Sequence, residues 1–200
     1  MLWKTEFSPL LKDFELKHQP VIIRVNKFDE KAAQDFNSKM AAAQSTGQKV
    51  VPVVIDSYGG QVYSLMSMIS AIKSSEIPVA TIVEGKAMSC GAVLLSFGEQ
   101  GMRFADEDAT IMIHDVSSGG RGKIEELKAD VAEAERLDEK IFTMMARNCG
   151  KKDDYFKKKV FNKKHADWFM DASEAKRHGL VNHIRVPRMT VKVDVDIDFE

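Results

Sequence analysis

Hydrophobic positions along the chain follow two rhythms. Short apolar runs at 21–25 (VIIRV), 50–55 (VVPVVI) and 79–83 (VATIV) read as strands, the first and last of them introduced by Pro20 and Pro78. The unbroken run at 50–55 predicts burial on both faces, as in a parallel sheet. Between the strands the period changes. Residues 29–44 (DEKAAQDFNSKMAAAQ) are rich in helix formers, with acids in the first turn and Gly47 beyond the end. At 61–73, Leu65, Met68, Ile69 and Ile72 recur at three- and four-residue spacing, which predicts a second helix. Strand, helix, strand, helix, strand in this order predicts an α/β architecture with right-handed crossovers.

Further along, 89–97 (SCGAVLLSF) reads as a buried helix and 102–104 and 110–113 as short strands. The longest helical signal is 123–147, where Ile124, Leu127, Val131, Ala134, Ile141 and Met145 form a stripe interrupted only by Asp138. Gly119, Gly120 and Gly122 form its flexible entry. The lysine-rich segment KKDDYFKKKVFNKKH reads as a solvated surface helix with Asp153 and Asp154 in compensation, a docking patch being the other reading. Residues 172–178 predict a short helix stopped by Gly179, and the tail 189–200 (MTVKVDVDIDFE) alternates as a half-buried strand.

Composition narrows the class. With 200 residues the chain is most economically one domain over 1–200, and its 44% apolar and 30% charged residues are those of an ordinary globular protein. A net charge of -1 argues against a nucleic-acid partner. Two distant cysteines, Cys90 and Cys149, without a CxxC pattern fit a reduced, cytoplasmic setting. No apolar run approaches the roughly 20 residues that span a bilayer, and the acid-containing start does not read as a secretory signal. The eleven methionines are scattered through apolar segments as core filler. The five histidines form no metal-ligand spacing, so neither a metal nor a cofactor is expected.

Candidate chemistry lies where strands end. Gly59-Gly60 closes the run at 50–55, and a glycine pair there permits close approach and amides that face an anion, although a plain strand-to-helix turn accounts for it more simply. After 79–83 comes EGKAMSCGAVLLS, where Ser89 is flanked by Gly85, Ala87, Gly91 and Ala92; as a residue at a helix start it reads equally as a cap or as a nucleophile. His114 ends the run ATIMIH and would supply a base, where a structural histidine is the commoner case. Asp167, before two aromatics and a methionine, would orient that base, with Asp171 as the nearby alternative.

Taken together, SYGG, GKAMSCGA, MIHDV and DWFMDASEAKRHGLV resemble, in order and spacing, the motifs of the Clp protease proteolytic subunit family (ClpP), serine peptidases, over roughly residues 20–184. The resemblance implies a ClpP/crotonase-like spiral of β-β-α units with a parallel sheet and a protruding long helix at about 123–147. It also implies Ser89 as nucleophile, His114 as general base, Asp167 as orienting acid, and the amides of Gly60 and Cys90 as an oxyanion hole. Gly59, Gln61, Ser117, Ser118 and Gly119 are then expected along the substrate. The family further implies polypeptide substrates, homo-oligomeric seven-membered rings that commonly stack in pairs, and an AAA+ unfoldase as partner. Tyr58 replaces the usual proline before the glycine pair, and Asp115-Val116 replace a polar residue and proline after the histidine. Residues 1–19 have no counterpart in the family's axial segment. Such divergence suits an outlying, phage-type member. Two alternatives remain open: a catalytically silent ring subunit, and an acyl-coenzyme A hydratase or isomerase of the same fold superfamily.

Overall fold

The structure, a computed structural model, describes residues 19–117, 119–164 and 166–190. Its first half builds on the three apolar runs. Strand β1 (Ile23–Val25) is followed by α1 (Glu30–Ala43), β2 (Val51–Ser57), α2 (Val62–Lys73) and β3 (Val79–Met88). Helix α1 starts where predicted because the Asp29 carboxylate accepts the N–H of Ala32 at 2.8 Å, satisfying an amide that has no intrahelical partner. Its buried face is Ala33, Phe36, Met40 and Ala43; that of α2 includes Leu65, Met68, Ile69 and Ile72. In β2, Val51, Val53, Val54 and Ile55 are all buried, as the unbroken run required. Each contributes about 1.5–3 kcal/mol by leaving water.

The second half comprises α3 (Cys90–Leu95), β4 (Arg103–Ala105), β5 (Thr110–Ile113), α4 (Ile124–Asn148), α5 (Tyr155–Asn162), β6 (Trp168–Met170), α6 (Ala172–His178) and β7 (His183–Ile184). The sheet runs β1-β2-β3-β4-β7, with β5 pairing β3 and β6. All pairs are parallel except β5 with β6. This is a mixed α/β fold with a mostly parallel sheet, as the resemblance implied.

Strand β3 runs five residues beyond the expected end at Val83, because its two halves have different neighbours. Thr81, Ile82 and Val83 pair with β4, whereas Lys86, Ala87 and Met88 pair with β5. A register shift opposite Ile55 and Ser57 of β2 marks the changeover. Strands β6 and β7, three and two residues long, lie below what periodicity detects. The lysine-rich helix α5 is solvated but anchored by buried Phe156 and Val160. Helix α4 buries only its second half, through Leu137, Ile141, Phe142, Met145 and Ala146. Buried Arg103 binds neutral acceptors: the Asn182 Oδ1 at 3.2 Å, the Asn148 carbonyl at 3.1 Å and the Gln100 side chain. Most of the segment 1–19, and the expected strand at 189–200 beyond residue 190, lie outside the described residues.

Candidate active site

Strand register alone brings the candidate residues together. Ser57 of β2 pairs with Ala87 of β3, and Met88 of β3 pairs with Met112 of β5. Gly59-Gly60, Ser89 and His114 therefore leave the sheet side by side, at the carboxyl ends of parallel strands where α/β folds gather ligand-binding groups. Antiparallel β6 supplies the last member. Ile113 opposes Trp168, so the next opposed positions outward are His114 and Asp167.

Ser89 has φ 54° and ψ -120°, a backbone conformation unusual for any residue with a side chain. It is held from both sides: its N–H donates to the Met112 carbonyl at 2.9 Å, and its own carbonyl accepts from Ala92 at 3.0 Å and Val93 at 3.2 Å. No cap bond is made by its side chain. The hydroxyl instead lies 2.9 Å from His114 Nε2. On the other side of the ring, Nδ1 is 3.4 Å from Asp167 Oδ1, a carboxylate about half exposed. Asp171 is occupied elsewhere, accepting the Glu174 N–H at 2.6 Å as the N-cap of α6.

The glycine pair is packed against this group. A Cβ on Gly59 would lie 2.8 Å from Ser89 Cβ, and one on Gly60 would collide with the Phe28 carbonyl. Their φ values of 107° and 150° admit glycine readily and other residues only with strain. The turn is pinned by Gly59 N–H to Ser57 Oγ at 3.1 Å and Gln61 N–H to the Phe28 carbonyl at 2.7 Å. The thiol of Cys90, at the start of α3, donates to the Gly60 carbonyl at 3.3 Å. Cys90 is buried, and loss of solvation pushes its thiol pKa up.

A small cavity of about 50 Å³ adjoins these groups. Gly60, Ser89, Cys90, His114 and Ser117 border it, while Gly59, Gln61 and Gly119 do not; the Gln61 side chain turns to Ser64, 3.2 Å away. Ser118 lies outside the described residues. Two acids not expected at the site also border it, Asp115 and Asp138. Asp138 accepts the Val116 N–H at 3.0 Å, and burial raises its carboxyl pKa above the usual value. The signal for Asp138 is its interruption of the apolar stripe of α4, which from sequence alone cannot be told from a solvated position.

Behind Asp167, Trp168 is buried edge-on against His178 with ring centroids 4.8 Å apart, and its Nε1–H donates to Glu174 at 3.1 Å. The Tyr155 hydroxyl meets His178 Nδ1 at 2.7 Å. This cluster fixes the start of β6 and hence the position of Asp167. Among the described residues no group of three or more His, Cys, Asp and Glu side chains is placed to hold a metal ion. No helix among them is long and apolar enough to cross a membrane.

The model of the Clp protease family matches residues 12–188, most of the chain. The chain therefore belongs to the Clp protease family and is a ClpP-like peptidase, on the fold that its sequence motifs implied.

Proposed function

We propose that the protein is a serine endopeptidase in which Ser89 is the nucleophile, His114 the general base and Asp167 the acid that orients it. The observation that carries this reading is the 2.9 Å approach of His114 Nε2 to a Ser89 hydroxyl on a strained backbone at a strand end. As Oγ attacks a peptide carbonyl, Nε2 takes its proton, and Asp167 stabilises the imidazolium and favours the tautomer with hydrogen on Nδ1. The 3.4 Å separation of Nδ1 and Oδ1 is long for a hydrogen bond, as is common before substrate closes a site. The amides of Gly60 and Cys90 face the oxyanion; Cys90, as first residue of α3, precedes the first intrahelical acceptor bond. His114 then returns the proton to the departing amine, and water, activated by the same base, releases the acyl group from Ser89.

Substrate lies in extended form beside Gly59, Gln61, Ser117 and Gly119, bound by strand addition. The subunits form rings of the family type, with an AAA+ unfoldase delivering longer chains, and α4 makes contacts between rings. Family membership supports assembly.

Labelling with a fluorophosphonate probe, followed by mass spectrometry of the modified peptide, tests the chemistry. Modification at Ser89 that disappears in His114→Ala is the expected result, and Ser89→Ala should lower kcat by at least about 10⁴-fold. An unlabelled Ser89 in the assembled protein, or normal turnover by Ser89→Ala, overturns the assignment.

A further inference from the structure

The cavity beside Ser89 has an uneven wall. Val93, Ile141, Phe142 and Met145 supply apolar surface, and Asp138, one helical turn before Phe142 on α4, adds a carboxylate. One oxygen of that carboxylate accepts the Val116 N–H. Among the described residues, no second hydrogen bond and no ion pair engages Asp138. Lys157, the cation whose field reaches it, is itself paired with Glu139.

An asparagine would hold the Val116 amide equally well, so the backbone contact leaves the charge unexplained. A half-buried carboxylate with an open oxygen has lost hydration that a cationic group can replace. The cavity is small, about 50 Å³, which counts against a bulky aromatic ring. A lysine side chain has both properties: methylenes for the apolar wall and an ammonium for its end.

We propose that Asp138 is a specificity residue, selecting an unbranched cationic side chain, lysine before others, on the substrate residue whose carbonyl Ser89 attacks. The proposal rests on the peptidase reading and names its preferred substrate class. The lysine stem lies along Val93, Ile141 and Met145, and the ammonium meets the open oxygen of Asp138.

The test uses three fluorogenic peptide amides, alike except for lysine, methionine or leucine at the cleaved position, with the full-length protein. Methionine resembles lysine in length and slenderness but carries no charge, so the lysine-to-methionine ratio of kcat/KM isolates the ion pair. That ratio should be about tenfold or more in the wild type and fall close to one in Asp138→Asn, which retains an acceptor for Val116. A wild-type ratio at or below one overturns the inference without any variant. A ratio unchanged in folded Asp138→Asn does the same. Fluorophosphonate labelling in parallel separates the two readings. Labelled Ser89 with cleavage of only the methionine and leucine peptides removes the specificity alone, whereas no labelling and no cleavage removes the peptidase reading and the inference with it.

Discussion

Ser89, the proposed nucleophile, is held against its backbone preference. A conformation of this kind costs about 1–3 kcal/mol and persists because the Met112 carbonyl on one side and the first turn of α3 on the other fix the residue in place. The neighbouring Cys90 is the obvious competitor as a nucleophile, and its environment argues against that role. Burial raises its thiol pKa, and burial pushes that of Cys149 up to about 11 against the opposing pull of Arg103. Raised values shrink the thiolate fraction, the reactive species. Iodoacetamide at pH 7.5 should therefore modify neither cysteine in the native protein over a time that modifies both in denaturant, as read by intact mass. Rapid native modification of Cys90 would reopen its role. Ser89 and His114 were legible in the sequence because small residues and an apolar run mark their strand ends. Asp138 was visible only as a break in a stripe, since its meaning depends on which face of α4 meets the cavity.

Among the elements, the three-residue strand β6 has an influence out of proportion to its length. Its antiparallel register with β5 sets Asp167 opposite His114, and the N-cap of α6 begins immediately after it. In the proposed mechanism the two nearby carboxylates therefore have different tasks. Asp171→Ala should cost about 1 kcal/mol of stability through the lost cap while activity persists in the folded fraction. Asp167→Ala should leave the melting temperature nearly unchanged and reduce kcat by about 10³-fold or more. Thermal melts and peptide turnover on both variants check this, and a reversed pattern would transfer the orienting role to Asp171. The sequence left these two acids unresolved because only strand pairing ranks them, and a strand as short as Trp168–Met170 has too few residues to display a period. The helices were more legible: α6 begins and ends where its acidic cap and Gly179 direct.

For the whole molecule, the unfinished surface is the first half of α4. The sequence stripe runs from Ile124 to Met145 with Asp138 as its one break, but the chain's own core covers only the part from Leu137 onward. Ile124 and Val131 remain 71% and 57% exposed, and with Leu127 they border an open depression of about 370 Å³. The polar flank is already ordered, through the Lys128–Glu125 pair at 2.9 Å and Arg136–Glu133 at 2.7 Å, with the Tyr63 hydroxyl donating to Glu133 at 2.5 Å from α2. A helix stiffened on one flank and apolar on the other is suited to burial against a second copy, the role proposed for it in ring stacking. Substituting Ile124→Glu and Val131→Glu together would place charges in that contact. Because both positions are exposed in the single chain, its stability should change by no more than about 0.5 kcal/mol per site. The mass measured by light scattering should nevertheless fall to about half, as paired rings separate into single ones. An unchanged mass with both glutamates present would show that α4 does not join rings and that its apolar stripe serves another contact.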